Sequence, residues 1–191
     1  ALRRSDVALL LLDATQGLPS DQDAKIASLA HERGRALAIV VNKWDAIEKD
    51  NYTVREYTEA IYGTLPFITY APIIFISAKT GQRVQEIYKQ VHLVYGEGRK
   101  RLQTAEVNRI LEGAFDRNPP PVHRGVPIKL YYASQVAVAP PSLALILNYP
   151  KAIDEGYQRY LKKAIRETHP FVGSDIRLFL KKRGKRNVKD A

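Results

Sequence analysis

Two short polar motifs in the first half of the chain carry the residue types needed to recognise a purine base. The first, NKWD at Asn42–Asp45, directly follows the apolar run ALAIVV. The Asp45 carboxylate can accept two hydrogen bonds from guanine, from its ring N–H and its exocyclic amine, and adenine offers no matching pair of donors. Lys43 can lay its apolar stem along the base, and Asn42 can hold neighbouring loops. The N-K-x-D pattern alone is weak, because Asn and Asp also favour ordinary turns.

The second motif, SAK at Ser77–Lys79, follows another apolar run, IIFIS, and is trailed by TG. Alone, it also fits an ordinary loop between a strand and a helix. If the two apolar runs are neighbouring parallel strands joined by a right-handed crossover, both motifs lie at one sheet edge, where open α/β sheets bind ligands. The N–H of Ala78 can then donate to guanine's keto oxygen. We therefore predict a guanine site formed by Asn42, Lys43, Asp45, Ser77, Ala78 and Lys79.

The elements that must position these motifs alternate between strand and helix. Short apolar runs at 7–13, 36–42 and 73–77 are typical of strands buried in a parallel sheet. Helices are predicted over 20–34, 54–64 and 84–98. Ser20 stands where the first of these helices needs a cap. This order predicts an α/β fold built on an open sheet of parallel strands with helices.

The distribution of charge divides the chain into two parts. Residues 1–97 carry 11 Lys and Arg against 12 Asp and Glu, whereas residues 98–191 carry 19 against 8. This asymmetry predicts two domains, the second facing a polyanion such as RNA or the ribosome, which we favour over a merely solvated basic surface. The sequence has no Cys, which excludes disulfides and thiolate metal sites, and no apolar run is long enough to span a bilayer.

The second half has the pattern of a small α+β domain. A helix, two strands, a helix and a strand are predicted in turn, over 104–117, 126–138, 142–149, 154–167 and 175–183. The order α-β-β-α-β implies a three-stranded sheet with helices on one face. We predict domains at 1–97 and 104–183, a linker at 98–103 and a basic tail at 184–191.

The two base motifs resemble those of the Ras-like translation-factor GTPases. The other motifs of those proteins, which are a phosphate loop, a switch threonine and a D-x-x-G magnesium loop, do not occur in the 191 residues. DATQG at Asp13–Gly17 spaces its Asp and Gly one residue too far apart. We therefore expect no catalytic residue and no metal ligand in this chain, which we expect to begin beyond those parts.

Nearly the whole chain resembles the Der (EngA) family. The resemblance is carried by RRSDVALLLLDATQGLPSDQD, VVNKWD, SAKTGQ, TAEVNRILEGAFDRNPPP, IKLYYASQV, PPSLALILN and YQRYLKKAIRE. It implies the back half of a Ras-like P-loop GTPase domain, the second of a tandem pair, followed by a KH-like domain.

The same resemblance implies a cytoplasmic GTPase that acts in maturation of the large ribosomal subunit. Its cofactors would be GTP or GDP and Mg²⁺, with the magnesium ligands in a missing N-terminal part. Its partners would be ribosomal RNA, the large ribosomal subunit and the first GTPase domain of the same protein, with no membrane partner. The full-length protein would hydrolyse GTP to GDP and phosphate, and this chain alone is expected to be inactive.

The basic residues of the second half are the candidates for contact with RNA. No G-x-x-G loop, with which KH domains clamp RNA, occurs between positions 104 and 183. This disfavours both a base-reading KH groove and an Era-like GTPase with a true KH domain. Phosphate contacts need no such loop, and the candidates are Arg159, Lys162, Lys163, Arg166, Lys181, Lys182, Arg183, Lys185 and Arg186. Four tyrosines can also stack on bases, but their spacing favours the core; they are Tyr131, Tyr132, Tyr157 and Tyr160.

A second hypothesis belongs to another functional class. The chain would then be a stand-alone RNA-binding or docking module without GTPase activity. The length of the native open reading frame separates this hypothesis from the GTPase hypothesis.

Overall fold

The computed structural model describes residue 2 and residues 4–184 of the chain, which folds as two compact units. The first unit contains the chain up to Lys100 together with Phe171–Asp175. The second contains Arg101–Pro170 and the described residues from Ile176 to Gly184. Apart from Gly184, the basic tail predicted at 184–191 lies outside the described residues. Within the described ranges, no helix is both long and apolar enough to cross a membrane.

A parallel sheet of three strands forms the centre of the first unit. The strands β1 (Val7–Asp13), β2 (Ala36–Asn42) and β3 (Ile73–Phe75) lie in that order, so β2 is the middle strand. Residues 36–41 of β2 are all buried. Because successive side chains of a strand point to opposite faces, an unbroken buried run means that both faces of the sheet are covered at β2. The predicted parallel α/β sheet is confirmed.

Three helices, α1 (Asp21–Glu32), α2 (Thr53–Thr64) and α3 (Glu86–Arg99), follow the three strands in turn. The predicted cap of α1 is present as a reciprocal pair. The Ser20 hydroxyl accepts from the Asp23 N–H at 3.3 Å, and the Asp23 carboxylate accepts from the Ser20 N–H at 2.9 Å. A capping box of this kind satisfies two otherwise unpaired donors and fixes where the helix begins.

The linker predicted at 98–103 begins inside a helix. α3 continues through Gly96 and Gly98 to Arg99, so only residues 100–103 of that stretch lack regular structure. Gly98 serves close packing, because a Cβ atom there would lie 2.6 Å from the Ser174 hydroxyl oxygen. Gly98 therefore marks a close approach of another segment, one residue before the helix ends at Arg99.

The segment Phe171–Asp175 was expected to belong to the second domain and instead packs within the first unit. The Gly173 carbonyl accepts from the Leu37 N–H at 2.6 Å, and the Gly173 N–H donates to the Tyr70 carbonyl at 2.8 Å. Gly173 has φ +78°, and a Cβ atom there would lie 2.4 Å from a methyl carbon of Val94. Only glycine fits this position, for reasons of both backbone conformation and space.

The second unit has the predicted order α-β-β-α-β. Its elements are α4 (Thr104–Arg117), β4 (Leu130–Ala137), β5 (Ser142–Leu147), α5 (Glu155–Thr168) and β6 (Arg177–Lys182). β5 is the middle strand, antiparallel to β4 and parallel to β6. β4 begins four residues later than predicted, because Pro127 and the turn before it occupy the start of the expected run.

Two helices close the core of the second unit. Both present buried side chains, Val107 and Leu111 from α4 and Leu161 and Ile165 from α5. Asn108 of α4 also covers the free edge of β4. Its amide group donates to the Ala133 carbonyl and accepts from the Ala133 N–H, both at 2.8 Å. A side chain thus takes the place of a further strand, which satisfies an edge that would otherwise be unpaired.

Candidate nucleotide-binding site

The fold brings the two base motifs to the same edge of the first sheet. NKWD follows β2, SAK follows β3 at a short interval, and the two strands are paired in parallel. Backbone hydrogen bonds continue this pairing beyond the strands, because the Ile76 carbonyl accepts from the Trp44 N–H at 3.0 Å. The neighbouring parallel strands expected from the sequence are therefore present.

Asn42 joins the two motifs directly. Its side-chain oxygen accepts from the Ala78 N–H at 2.9 Å. Asn42 thus holds the neighbouring loop, as the sequence led us to expect. The Ala78 N–H has an acceptor within the protein in this structure, and its donation to guanine's keto oxygen stays a prediction.

Asp45 has an exposed carboxylate that is prepared to accept hydrogen bonds. A hydrogen bond from the Ser77 hydroxyl lowers the pKa of Asp45 below its ordinary value, and the charges of Lys79 and Lys49 lower it further. Ser77 is itself fully buried, and its oxygen accepts from the Thr80 N–H at 3.1 Å. The buried Ser77 hydroxyl therefore favours the ionised form of Asp45, which suits an acceptor of two N–H donors.

Lys43 is held by a residue that the sequence reasoning did not include in the site. Its ammonium lies 2.6 Å from a carboxylate oxygen of Asp13, the last residue of β1. Hydrogen bonds from Lys43 and then from Thr15 lower the pKa of Asp13 to about 2. The sequence signal for this contact was DATQG. Its Asp13 is the last residue of β1, and β1 lies beside β2, which ends at Asn42.

Trp44 anchors the first motif in the core. It is only 3% exposed, and its ring lies 4.4 Å from the ring of Phe75 and 5.1 Å from that of Tyr57, measured between centroids. Lys43 adopts the left-handed conformation with φ 61°. This turn lets Trp44 point into the core, while Lys43 and Asp45 on either side remain exposed.

Lys79, the last of the six predicted residues, is exposed and contributes positive charge near Asp45. The six residues therefore lie at the end of β2 or in the two loops that Asn42 joins. A guanine ring would meet their carboxylate, ammonium and amide groups. No magnesium-binding motif accompanies them, and the described residues hold no cluster of three or more His, Asp or Glu side chains that could bind a metal ion.

The candidate RNA contacts of the second unit fall into two groups. Those on α5 differ in exposure: Arg159 and Lys163 are exposed, whereas Lys162 and Arg166 are half-buried. Arg159 lies 4.0 Å from Glu155, and Arg166 donates to the Pro170 carbonyl at 2.5 Å. The second group, Lys181, Lys182 and Arg183, is exposed at the end of β6. Lys185 and Arg186 lie outside the described residues.

The four tyrosines considered for base stacking differ in exposure. Tyr157 is buried, as expected, and Tyr160 is half-buried, with its hydroxyl donating to the Ala114 carbonyl at 2.8 Å. Tyr131 and Tyr132 are instead 42% and 47% exposed, contrary to expectation. The guanidinium of Arg183 lies 4.5 Å from the centroid of the Tyr131 ring. An aromatic ring and a cation therefore lie together at the protein surface.

Two protein-family models match the chain, one in each part. The model of the elongation factor Tu GTP-binding domain matches residues 1–97. The model described as KH-domain-like of EngA bacterial GTPase enzymes, C-terminal, matches residues 101–181.

Relatives match the chain over almost its full length. The GTPase Der of Thermoanaerobacter sp. (strain X514) is 47% identical over 184 residues, which are 96% of this chain and 42% of that protein. The GTPase Der of Caldanaerobacter subterraneus subsp. tengcongensis is 46% identical over 184 residues, with the same coverage of 96% and 42%. The chain thus spans about two fifths of the length of these relatives. A solved structure of Aquifex aeolicus Era bound to GDP and AlF₄⁻ is 22% identical, covers 95% of this chain and 66% of that chain, and has a TM-score of 0.43, a likeness too distant to carry an argument.

Proposed function

Because the chain belongs to the family of the EngA (Der) bacterial GTPases, we propose that the full-length protein binds guanine nucleotides and hydrolyses GTP to GDP and phosphate. In this proposal the chain supplies recognition of the base and a basic KH-like domain. The phosphate loop and the Mg²⁺ ligands would come from segments whose motifs this sequence does not contain. On its own, the chain is expected to be inactive in hydrolysis.

One observation carries the proposal, namely the joining of the NKWD and SAK loops by the Asn42 side chain, whose oxygen accepts from the Ala78 N–H at 2.9 Å beside the exposed Asp45. An ionised carboxylate with free acceptor capacity selects a base that presents two adjacent donors, as guanine does with its N1–H and 2-amino groups. Adenine presents no such pair at that position. Lys43, held by Asp13, would lie along the base plane, and Asn42 would keep the two loops together.

The chain's own residues would act by binding and orientation. Fixing the base determines where the phosphates of the nucleotide extend, and placement is a large part of phosphoryl-transfer catalysis. GTP and GDP would also stabilise different arrangements of the full-length protein, so that the nucleotide acts as a switch.

The partners that we propose are ribosomal RNA and the large ribosomal subunit, with the first GTPase domain of the same protein as an internal partner. The support is electrostatic. Residues 98–191 carry 19 Lys and Arg against 8 Asp and Glu. Exposed cations such as Lys163, Lys181 and Lys182 are available for phosphate contacts. A cytoplasmic location follows from such partners and is part of the same proposal.

Competition between nucleotides tests the proposed base recognition. The full-length protein would be loaded with a fluorescent GDP analogue and titrated with GTP, ITP and ATP. We expect ITP, which lacks the 2-amino group, to compete about tenfold less well than GTP, and ATP not to compete. Equal competition by GTP and ATP would contradict the assignment. No binding of any nucleotide would favour the alternative, a docking module without GTPase activity.

A further inference from the structure

A cleft of about 420 Å³ opens in the second unit, where β5 and β6 end. Its walls come from three separate stretches of the chain, which contribute His123, Tyr149, Lys151 and Lys182 among others. Lys182 alone belongs to the basic residues that the sequence singled out. The volume lies within the range of small-ligand sites, which is roughly 300–1,000 Å³.

The walls of this cleft are held by hydrogen bonds that involve no ligand. Asn148 accepts from the N–H groups of Lys129 and Tyr149 and donates to the Pro127 carbonyl, in each case at 2.9 Å. A tight turn ends at Val126, whose backbone exchanges hydrogen bonds of 2.9 and 3.0 Å with that of His123. A cleft built in this way needs little rearrangement to accept a ligand.

Two aromatic rings form one side of the cleft. The rings of His123 and Tyr149 lie 5.0 Å apart between centroids, at 44° to each other. Tyr149 is 36% exposed, so part of its ring surface is open to a further planar group. Stacking of a base on an exposed aromatic ring is a common way to bind single-stranded nucleic acid.

Two lysines supply the charge of the cleft. Lys151 and Lys182 are both exposed, and within residues 4–184 neither forms an ion pair. None of the residues that line the cleft has a carboxylate. Arg183 stacks on Tyr131 directly beyond Lys182. An anionic ligand would therefore meet positive charge here without a competing acid in the wall.

We propose that this cleft binds one nucleotide of a single-stranded RNA, with the base against Tyr149 and His123 and the adjoining phosphates on Lys151 and Lys182. The inference rests on the RNA-binding role proposed above, and it adds where the RNA binds and that the bound RNA is single-stranded. Charge complementarity selects a polyanion, and the aromatic wall selects one that carries planar bases. Bases in a duplex are already stacked on one another, so the ligand is single-stranded.

Binding of labelled RNA to the 191-residue chain tests the proposal. The probes are a single-stranded 12-nucleotide RNA, a duplex of the same length and a poly-glutamate peptide. We expect Tyr149→Ala to weaken binding of the single strand roughly tenfold and to leave binding of the duplex unchanged. Tyr149→Phe should bind as the unchanged chain does, because it keeps the ring. Tyr88→Ala is the matched control, since Tyr88 is 65% exposed on α3 of the first unit.

The lysines are tested by the response to salt. Each phosphate contact on a single strand contributes about −0.7 to the slope of log affinity against log salt. Replacing Lys151 and Lys182 together by Ala should therefore make the slope shallower by about 1.4. Lys25→Ala, at an exposed lysine of α1, is the control and should leave the slope unchanged. Crosslinking of 4-thiouridine in the same RNA should map to Tyr149 or His123.

The outcomes separate this inference from the broader function. If the chain binds RNA but Tyr149→Ala has no effect and crosslinks map elsewhere, the cleft is not the site and the RNA-binding role stands. Equal weakening of single strand and duplex by Tyr149→Ala would also overturn the inference. Competition by poly-glutamate as strong as by RNA of equal charge would identify an acidic protein segment as the ligand. If the unchanged chain binds no RNA, both proposals fail.

Discussion

The ammonium of Lys43 lies 2.6 Å from a carboxylate oxygen of Asp13, although the two residues are far apart in the sequence. The pairing of β1 with β2 sets Asp13 opposite Asn42, so the residue after Asn42 comes within reach of the end of β1. Lys43 turns towards it through a left-handed backbone conformation. The end of one strand thus positions a base-recognition residue that follows the next strand.

The first prediction concerns the effect of this pair on nucleotide affinity. Asp13→Asn removes the charge that holds the Lys43 ammonium and leaves the lysine stem free to move away from the base. We expect the full-length protein to bind GDP about three- to fivefold more weakly, the range typical of a partly exposed ion pair. Asp21→Asn, the same charge change at an exposed residue of α1, is the control. Unchanged affinity in Asp13→Asn, measured by isothermal titration, would show that Lys43 needs no partner.

The second prediction concerns the titration of Asp13 itself. Hydrogen bonds from Lys43 and Thr15 lower its pKa to about 2, below the ordinary aspartate value of about 3.9. Because the pKa of Asp13 is lowered in the folded state, the Asp13–Lys43 pair stabilises the fold at pH values above the ordinary pKa of aspartate. This stabilisation is lost as the pH falls from about 4 towards 2. NMR titration of the side-chain carboxyl carbon should show Lys43→Gln raising the pKa of Asp13, and Lys25→Gln leaving it unchanged.

The third prediction concerns the choice of base at Asp45. Asp45→Asn exchanges a carboxylate acceptor for an amide that can also donate. Xanthine presents a carbonyl oxygen where guanine presents its amine, so the variant should favour xanthosine nucleotides. We expect GTP affinity of the full-length protein to fall about a hundredfold and XTP affinity to rise. If the variant keeps full preference for GTP, Asp45 does not recognise the base. Asp21→Asn again controls for the change in charge.

Much of this architecture is predictable from local sequence. α4 has the predicted limits, because a polar start, a helical period of apolar residues and the run of prolines after Asn118 all agree. The two base motifs are also brought together as predicted, since buried apolar runs of this length form neighbouring parallel strands. These features depend on patterns within a few residues of the element that they define.

What local sequence does not reveal are contacts between distant segments. The close approach of Ser174 to Gly98 of α3 joins residues that are far apart in the sequence. The Asp13–Lys43 pair depends on the register of β1 against β2. The cleft near Tyr149 needs three stretches that no sequence window contains together. Such features become visible only when the chain is folded.

The fourth prediction concerns the pH range of nucleotide binding. The Ser77 hydroxyl stabilises the ionised form of Asp45, so its pKa lies below the ordinary value. Ser77→Ala removes that hydrogen bond and should raise the pKa of Asp45. Because binding needs the carboxylate, the acidic limit of GDP binding should move to higher pH in the variant. Affinity at neutral pH should fall less than affinity at about pH 3.5, where an ordinary aspartate is mostly protonated. Equal loss at both values would indicate a purely structural role for Ser77.

The fifth prediction concerns how the basic surface binds RNA. Arg159 and Lys163 are exposed on α5, and Lys181 and Arg183 are exposed near the end of β6, so all four can reach phosphates without unfolding the core. If about five phosphates are contacted, log affinity should fall against log salt with a slope between roughly −3.5 for single strands and −4.5 for duplexes.

Reversal of Lys163, Lys181 and Arg183 to Glu should make that slope shallower and weaken binding to every RNA sequence alike, because phosphate contacts carry no information about bases. Lys162 is left unchanged in this variant, since it is half-buried and takes part in other interactions. Circular dichroism should show that the variant keeps the fold of the unchanged chain. RNA affinity is measured by filter binding over a series of salt concentrations. If affinity of the unchanged chain does not depend on salt, RNA binding is not electrostatic and the proposed role is contradicted. If the reversal leaves the slope unaltered, these three residues do not contact the RNA.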